Sequence, residues 1–152
     1  ICRIDPNAEM DWKQNLKALL TINFVWFIWI IIVLLTQSSH PFWNPDNIVS
    51  MEPTQAFNTA VSFVTNTNLQ HYSGETGASY FTQLLALVFL QFVSAGTGVA
   101  ALALLFKGLL NRSAANLGNF YYQLVRACTR ILLPLSIVVA VILLINSTPM
   151  TF

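Results

Sequence analysis

Residues 53–76 read PTQAFNTAVSFVTNTNLQHYSGET, and how this stretch is read decides the fold. It opens as a mildly apolar helical segment of about three turns, with Gln55, Ala56, Phe57, Ala60, Val61, Phe63 and Val64 in it and Thr54 as the expected N-cap. It then runs without a break into Thr65-Asn66-Thr67-Asn68. A helix of this length is too short to cross a bilayer, which takes about 20 residues. Uncharged segments long enough to cross lie on both sides, so the order is span, short helix, polar loop, span. Irregular backbone is tolerated at membrane depth only where protein buries it or where it lines a water-filled cavity, because an unsatisfied N–H or C=O in hydrocarbon costs several kcal/mol. A half-helix leading into a Thr/Asn loop is therefore a candidate ion-selectivity filter. The competing reading makes Thr65–Asn68 a surface turn and lays the preceding helix flat in the interface, since Thr and Asn are ordinary turn and capping residues.

Composition places the chain in the membrane. Of its 152 residues 55% are hydrophobic and 9% charged, and the mean hydropathy is +0.62; globular chains run near 45–50% apolar and about 25% charged. Residues 18–35, ALLTINFVWFIWIIIVLL, carry no charge, and neither do residues 78–106. A third apolar segment runs from Ile131 to Ile145 and contains Pro134, which membrane helices tolerate better than soluble ones. The expected fold class is an all-α membrane protein. Its expected organisation is a first repeat over 1–106, with spans at about 16–36 and 78–106, a pore helix at about 54–64 and a filter at 65–70. A connection over 107–130 with an interfacial helix follows, and then a truncated span over 131–152.

The basic residues set an orientation. Arg3, Lys13 and Lys17 precede the first span, Lys107, Arg112, Arg126 and Arg130 lie between the second and third, and none falls between Lys17 and Lys107. By the positive-inside rule the N-terminal arm and the 107–130 connection are cytoplasmic, while residues 37–53 and the filter mouth are external. The pore helix then enters from outside, and its C-terminal end, with a partial negative charge of about half a unit, faces the middle of the membrane and attracts cations. Carbonyls and hydroxyls of Thr65 to Asn68 on the return path can replace the water around a potassium ion.

A net charge of +1 gives no footprint for nucleic acid. Cys2 and Cys128 both fall on the expected inner side, and their spacing matches no metal motif. The outer loop QSSHPFWNPDNIVSMEP, residues 37–53, has the composition of an ordered interfacial loop, and Trp43 is suited to the headgroup level. Residues 80–106 extend roughly 40 Å as a helix, longer than the hydrocarbon is thick. The small residues Ser94 to Gly98 read as a helix-packing face, and Gln83 and Gln91 are expected to face the bundle interior. Residues 113–125, SAANLGNFYYQLV, fit an interfacial helix on the inner face.

The stretch FNTAVSFVTNTNLQHYSGET, Phe57 to Thr76, resembles a hallmark of the potassium-translocating (A) subunit of the bacterial Kdp-type potassium-transporting P-type ATPase. The likeness extends to EMDWKQNL at Glu9–Leu16, SYF at Ser79–Phe81, SAGTG at Ser94–Gly98 and NLGNF at Asn116–Phe120, and so covers nearly the whole chain. That family resembles transporters built from four joined span, pore-loop, span repeats, which implies that this chain is the first repeat and the opening of the second. The resemblance implies a potassium selectivity filter at Thr65, Asn66, Thr67 and Asn68, with Gln70 flanking it. It also implies potassium as the bound ion, and as partners an ATP-hydrolysing catalytic subunit and small membrane subunits in a bacterial inner (plasma) membrane. The loop holds no glycine, a departure from ordinary potassium-channel filters.

The reading that follows is a multi-pass, non-hydrolysing transport subunit of an ATP-driven, high-affinity potassium uptake complex. The sequence shows no P-loop, no phosphorylatable Asp motif and no paired acid and base, so no catalytic residue is expected on the chain. Two rivals stand beside it. One is a passive two-span potassium channel assembling as a homotetramer, which has no need of a third hydrophobic segment. The other is a structural or assembly protein with a flat interfacial helix and no pore.

Overall fold

The computed structural model describes residues 8–40, 43–111 and 117–148. Every regular element among them is helical, and three helices are long and apolar enough to cross a membrane: Trp12–Ser39, Tyr80–Leu110 and Phe120–Ile145. The protein is an all-α membrane protein.

Helix α1, Trp12–Thr36, starts earlier than hydropathy alone places it, because Asp11 and Gln14 cap it reciprocally. The Gln14 N–H donates to Asp11 Oδ1 at 2.7 Å, and the Asp11 N–H donates to Gln14 Oε1 at 3.1 Å. Two otherwise orphaned donors are satisfied in this way. A 3₁₀ turn over Gln37–Ser39 ends the helix.

Helix α2, Pro53–Val64, has Glu52 and not Thr54 at its N-cap position, with no side-chain capping bond. Pro53 takes the first helical position, where the missing N–H is no loss, so the cap moves one residue upstream of it. The Thr54 hydroxyl instead donates to Glu52 Oε1 at 2.6 Å. After a single turn α3, Gly74–Gly77, Ser79 caps the next element and accepts from the Thr82 N–H. That element runs from α4, Tyr80–Thr82, through a π turn at Gln83–Val88 into α5, Phe89–Asn111.

The last helix begins at α6, Phe120–Ala127, passes a π turn at Cys128–Leu132 and continues as α7, Leu133–Ile145. Residues 113–116 of the expected interfacial helix lie outside the described residues. From Phe120 onward the chain is one continuous 26-residue helix. The Asn119 side chain starts it by accepting from the N–H groups of Tyr121 and Tyr122 at 3.0 and 3.3 Å. Pro134 lacks an N–H for the carbonyl four residues back, and the wider π turn just before it lets the helix continue.

Contacts divide the chain into two compact units, residues 21–95 and residues 1–20 with 96–152. In the first, Ala56, Thr59, Ala60 and Phe63 form the buried stripe of α2. They pack with Ile30, Val33 and Leu34 of α1 and with Ala86, Leu87 and Leu90. Edge-to-face pairs, Phe27 on Phe57 at 5.7 Å and Trp26 on Phe89 at 5.1 Å, add to this core.

In the second unit, Asn15 ties two of the sequence hallmarks together. Its Nδ2 donates to the Gly118 carbonyl at 3.0 Å and its Oδ1 accepts from the Phe120 N–H at 2.9 Å. Gly118 has φ +90°, a left-handed conformation that side-chain-bearing residues rarely adopt, and its carbonyl also accepts from the Met10 N–H.

Candidate functional site

The C-terminus of α2 and the loop after it carry all four expected filter residues. The loop turns because Asn66 takes φ +59° just after Thr65, whose φ is −84°. The Asn66 N–H donates to the Phe63 carbonyl at 3.3 Å and the Thr67 N–H to the Ser62 carbonyl at 2.9 Å. This is the six-to-one and five-to-two bonding of a Schellman cap, with Asn where glycine usually sits. Asn68 is again left-handed at φ +56°, while Thr67 between them is not. The sequence explains the alternation: Asn tolerates φ > 0 far better than a β-branched Thr does. Thr-Asn-Thr-Asn is thus a conformational pattern as well as a polar one.

Every backbone donor of the loop is turned toward the helix end. The Thr65 N–H bonds to Val61, Asn66 to Phe63, Thr67 and Asn68 to Ser62, and the Leu69 N–H to Ser62 Oγ at 2.7 Å. The acceptors are left over. Among the described residues, none donates to the carbonyls of Thr65, Asn66, Thr67 or Asn68. A backbone with its N–H groups consumed and four consecutive carbonyls that no described residue donates to, on the negative end of a helix, offers acceptors suited to a cation.

The hydroxyls reinforce this. Thr65 Oγ1 donates to the Val61 carbonyl at 2.8 Å, and each hydroxyl has a single hydrogen, so Thr67 Oγ1 is the donor in the 3.0 Å Thr65–Thr67 contact. Asn68 Oδ1 is buried and has no hydrogen-bond partner among the described residues. Gln70 stands outside the alternating run, its Nε2 at 3.5 Å from the Tyr72 hydroxyl. Burial pushes the Tyr72 phenol above its ordinary value, against the opposing effect of its hydrogen bond to Gln70, so the ring stays neutral. Gly77 makes room for it: a Cβ there would come within 2.7 Å of Tyr72 Cδ2.

Two residues that hold this loop, and a third that holds its surroundings, escaped the sequence reading as parts of the site. Ser62 is the first. Its carbonyl takes two loop N–H groups, and its Oγ donates to the Leu69 carbonyl at 3.0 Å while accepting from the Leu69 N–H. A serine in the last turn of the half-helix was the available signal. Ser94 is the second, donating to Asn66 Oδ1 at 3.2 Å; its small neighbours pointed to helix packing.

Gln37 is the third, fully buried outside the filter. Its Nε2 donates to the carbonyls of Val49 and Gly77 at 2.7 and 3.1 Å, and its Oε1 accepts from the Ser79 N–H and Thr82 Oγ1. It thereby joins the end of α1, the outer loop and the start of α4. Gln83 also finds partners, the carbonyls of Gly74 and Ala78, both at 2.9 Å. Gln91, expected in the interior as well, is exposed among the described residues. Close to Gln83, a hollow of about 380 Å³ is bordered by Asp46 and Glu75.

Comparison with known proteins bears on what such a loop serves. A family model described as Potassium-transporting ATPase A subunit matches residues 1–152. A protein of Flavobacterium psychrophilum is 58% identical over 152 residues, covering 100% of this chain and 26% of its own length. One of Flavobacterium johnsoniae is 57% identical and one of Bacteroides fragilis 52%, again over 100% of this chain and over 26% and 27% of theirs. Each is named a potassium-transporting ATPase potassium-binding subunit. The chain spans about a quarter of the length of these curated relatives.

Proposed function

The chain belongs to the potassium-transporting ATPase A subunit family, and on that footing we propose that α2 is a pore helix and that residues 65–70 after it are one strand of the selectivity filter of a potassium-translocating subunit. The observation that carries this reading is the division of the loop's polar groups: N–H groups bonded to the helix end, and four carbonyls from Thr65 to Asn68 that no described residue donates to. A potassium ion leaving water needs several oxygen ligands at once, and the carbonyls of a fixed loop supply them without reorganisation. The loop offers one quarter of such a ring. Three further loops, elsewhere in the full-length protein, complete it.

The ion enters from the outer side, where Asp46 and Glu75 border the hollow and no Lys or Arg lies between Lys17 and Lys107. The N-terminal arm and residues 107–130 are cytoplasmic, and the protein sits in the bacterial plasma membrane. Transport is driven by ATP hydrolysis on a partner subunit, with small membrane subunits completing the complex, and the chain itself hydrolyses nothing. A homotetrameric two-span channel fits less well, because a third helix long and apolar enough to cross, Phe120–Ile145, follows the loop unit.

The test is ion dependence of the assembled complex. Thr65→Ala removes the hydroxyl that bonds Val61 and Thr67, and should raise the half-saturating potassium concentration about five- to tenfold, equal to about 1–1.4 kcal/mol. Asn68→Asp places a fixed charge beside the free carbonyls and should tighten cation binding while narrowing the gap between potassium, rubidium and sodium. Thr36→Ala is the control; that hydroxyl only back-bonds to the Ile32 carbonyl at 2.7 Å. Filter variants that assemble and keep wild-type potassium dependence and ion ranking would make Thr65–Asn68 a surface turn. Orientation is tested separately: cysteines at Ser39 or Ser73 should react with an impermeant thiol reagent added outside, and Cys128 should not. Outside labelling of Cys128 would invert the topology.

A further inference from the structure

Asn66 lies between two other side chains. Its Oδ1 accepts from Ser94 Oγ at 3.2 Å and from Asn68 Nδ2 at 3.3 Å. The far end of the Asn68 carboxamide, Oδ1, is the buried oxygen that has no partner among the described residues. A buried acceptor left unpaired is costly, and each such atom calls for an explanation, a bound ion among them.

The three side chains are linked by donor and acceptor logic. Turning the Asn68 carboxamide over would set two carbonyl oxygens against each other, so the orientation of Asn66 dictates that of Asn68. Asn66 in turn is tied to α5 by Ser94, which is 6% exposed and has little access to water as an alternative partner.

We propose that Ser94 is a positioning residue for ion selectivity, holding Asn66 so that the Asn68 side-chain oxygen is presented to a partly dehydrated monovalent cation. The inference rests on the reading of residues 65–68 as a filter and adds to it a side-chain ligand and the relay that aims it. A side-chain oxygen beside the four backbone carbonyls changes the number of ligands and their reach, on which a filter's ranking of monovalent cations depends. If Ser94 is only a small residue at a helix-packing face, alanine serves equally well there.

The experiment compares potassium with rubidium in the full-length protein within its assembled complex, reading the ratio of half-saturating concentrations for ion-stimulated ATP hydrolysis. Ser94→Ala should shift that ratio at least about three-fold with a smaller change in maximal rate, and Ser94→Thr, which keeps the hydroxyl, should return it toward wild type. Asn66→Gly deletes the middle of the relay at a position glycine accepts, since φ is +59°. The double variant Ser94→Ala/Asn66→Gly should then shift the ratio no further than Asn66→Gly alone.

A wild-type ratio in Ser94→Ala while Asn66→Gly alters it overturns the relay and leaves the filter standing. So do equal defects in Ser94→Ala and Ser94→Thr, or additive effects in the double variant. A wild-type ratio in Asn66→Gly as well also overturns the relay; the filter reading, which rests on backbone carbonyls that this variant keeps, stands or falls on Thr65→Ala and Asn68→Asp. The ratio is independent of how much complex assembles, so a reduced yield of any variant does not obscure it.

Discussion

Residues 53–70 and residues 133–145 pose opposite problems. The helix α7, Leu133–Ile145, is almost wholly aliphatic and has no buried residue, whereas α2 is only mildly apolar and buries four of its twelve residues. Hydropathy identifies the first at a glance and says nothing of its neighbours. The second is nearly invisible to a hydropathy window, yet its surroundings specify it down to single atoms. In a membrane the two follow from one cause. An apolar helix satisfies all its backbone groups internally and is at ease in lipid, while a half-helix with a polar loop survives only where protein meets its exposed groups.

That contrast breaks most visibly at Phe63, which is fully buried among α1, α2 and α5 side chains. Phe63→Ala should cost about 3–5 kcal/mol, the usual penalty for an aromatic cavity, and the complex should lose much of its resistance to detergent or heat. A loss under about 1 kcal/mol would mean that α2 is not seated as described.

Gln37→Leu comes next. It strips partners from the carbonyls of Val49 and Gly77, the Ser79 N–H and the Thr82 hydroxyl; Thr82 keeps Ser79 Oγ and exposed Val49 can turn to water, so the buried Ser79 N–H is the group left stranded and the cost should be about 1–3 kcal/mol. The drop should appear as lower accumulation of full-length protein, with Gln37→Glu recovering part of it through the retained acceptor. Wild-type accumulation of Gln37→Leu would show that the outer loop is held by other contacts.

Leu143→Ala in α7 should do least, under about 1 kcal/mol, because its side chain is exposed among the described residues and lipid is a comparable apolar solvent. A penalty approaching that of Phe63→Ala would sharpen the comparison the other way, by showing that the rest of the full-length protein covers this face.

Parts of the site were legible in the sequence. Thr65 to Asn68 stand out because four polar residues between two apolar segments conflict with a membrane setting, and conflicts of that kind mark functional sites. What was not legible was the division of labour inside the loop. The alternation of Thr and Asn encodes alternating φ, but a polar run looks the same whether its carbonyls or its N–H groups are left over. Thr54 shows the limit at a helix start: threonine is a good cap in general, and Pro53 took the position that made Glu52 the cap.

By itself the sequence determined the solvent and the order of the elements. Long uncharged segments, a half-helix between them and basic residues gathered toward two stretches follow from local composition, and the cost of charge and open backbone in hydrocarbon leaves few arrangements. Only the tertiary structure decided which residues hold the loop and which hold the segments around it. Ser94 lies 28 positions from Asn66, and Gln37 lies 42 and 45 positions from Ser79 and Thr82. A serine that packs a helix and a serine that orients an asparagine are the same letter. Folding distinguishes them, because a hydrogen bond requires two atoms within about 3 Å, and residues far apart in sequence come that close only in the assembled fold.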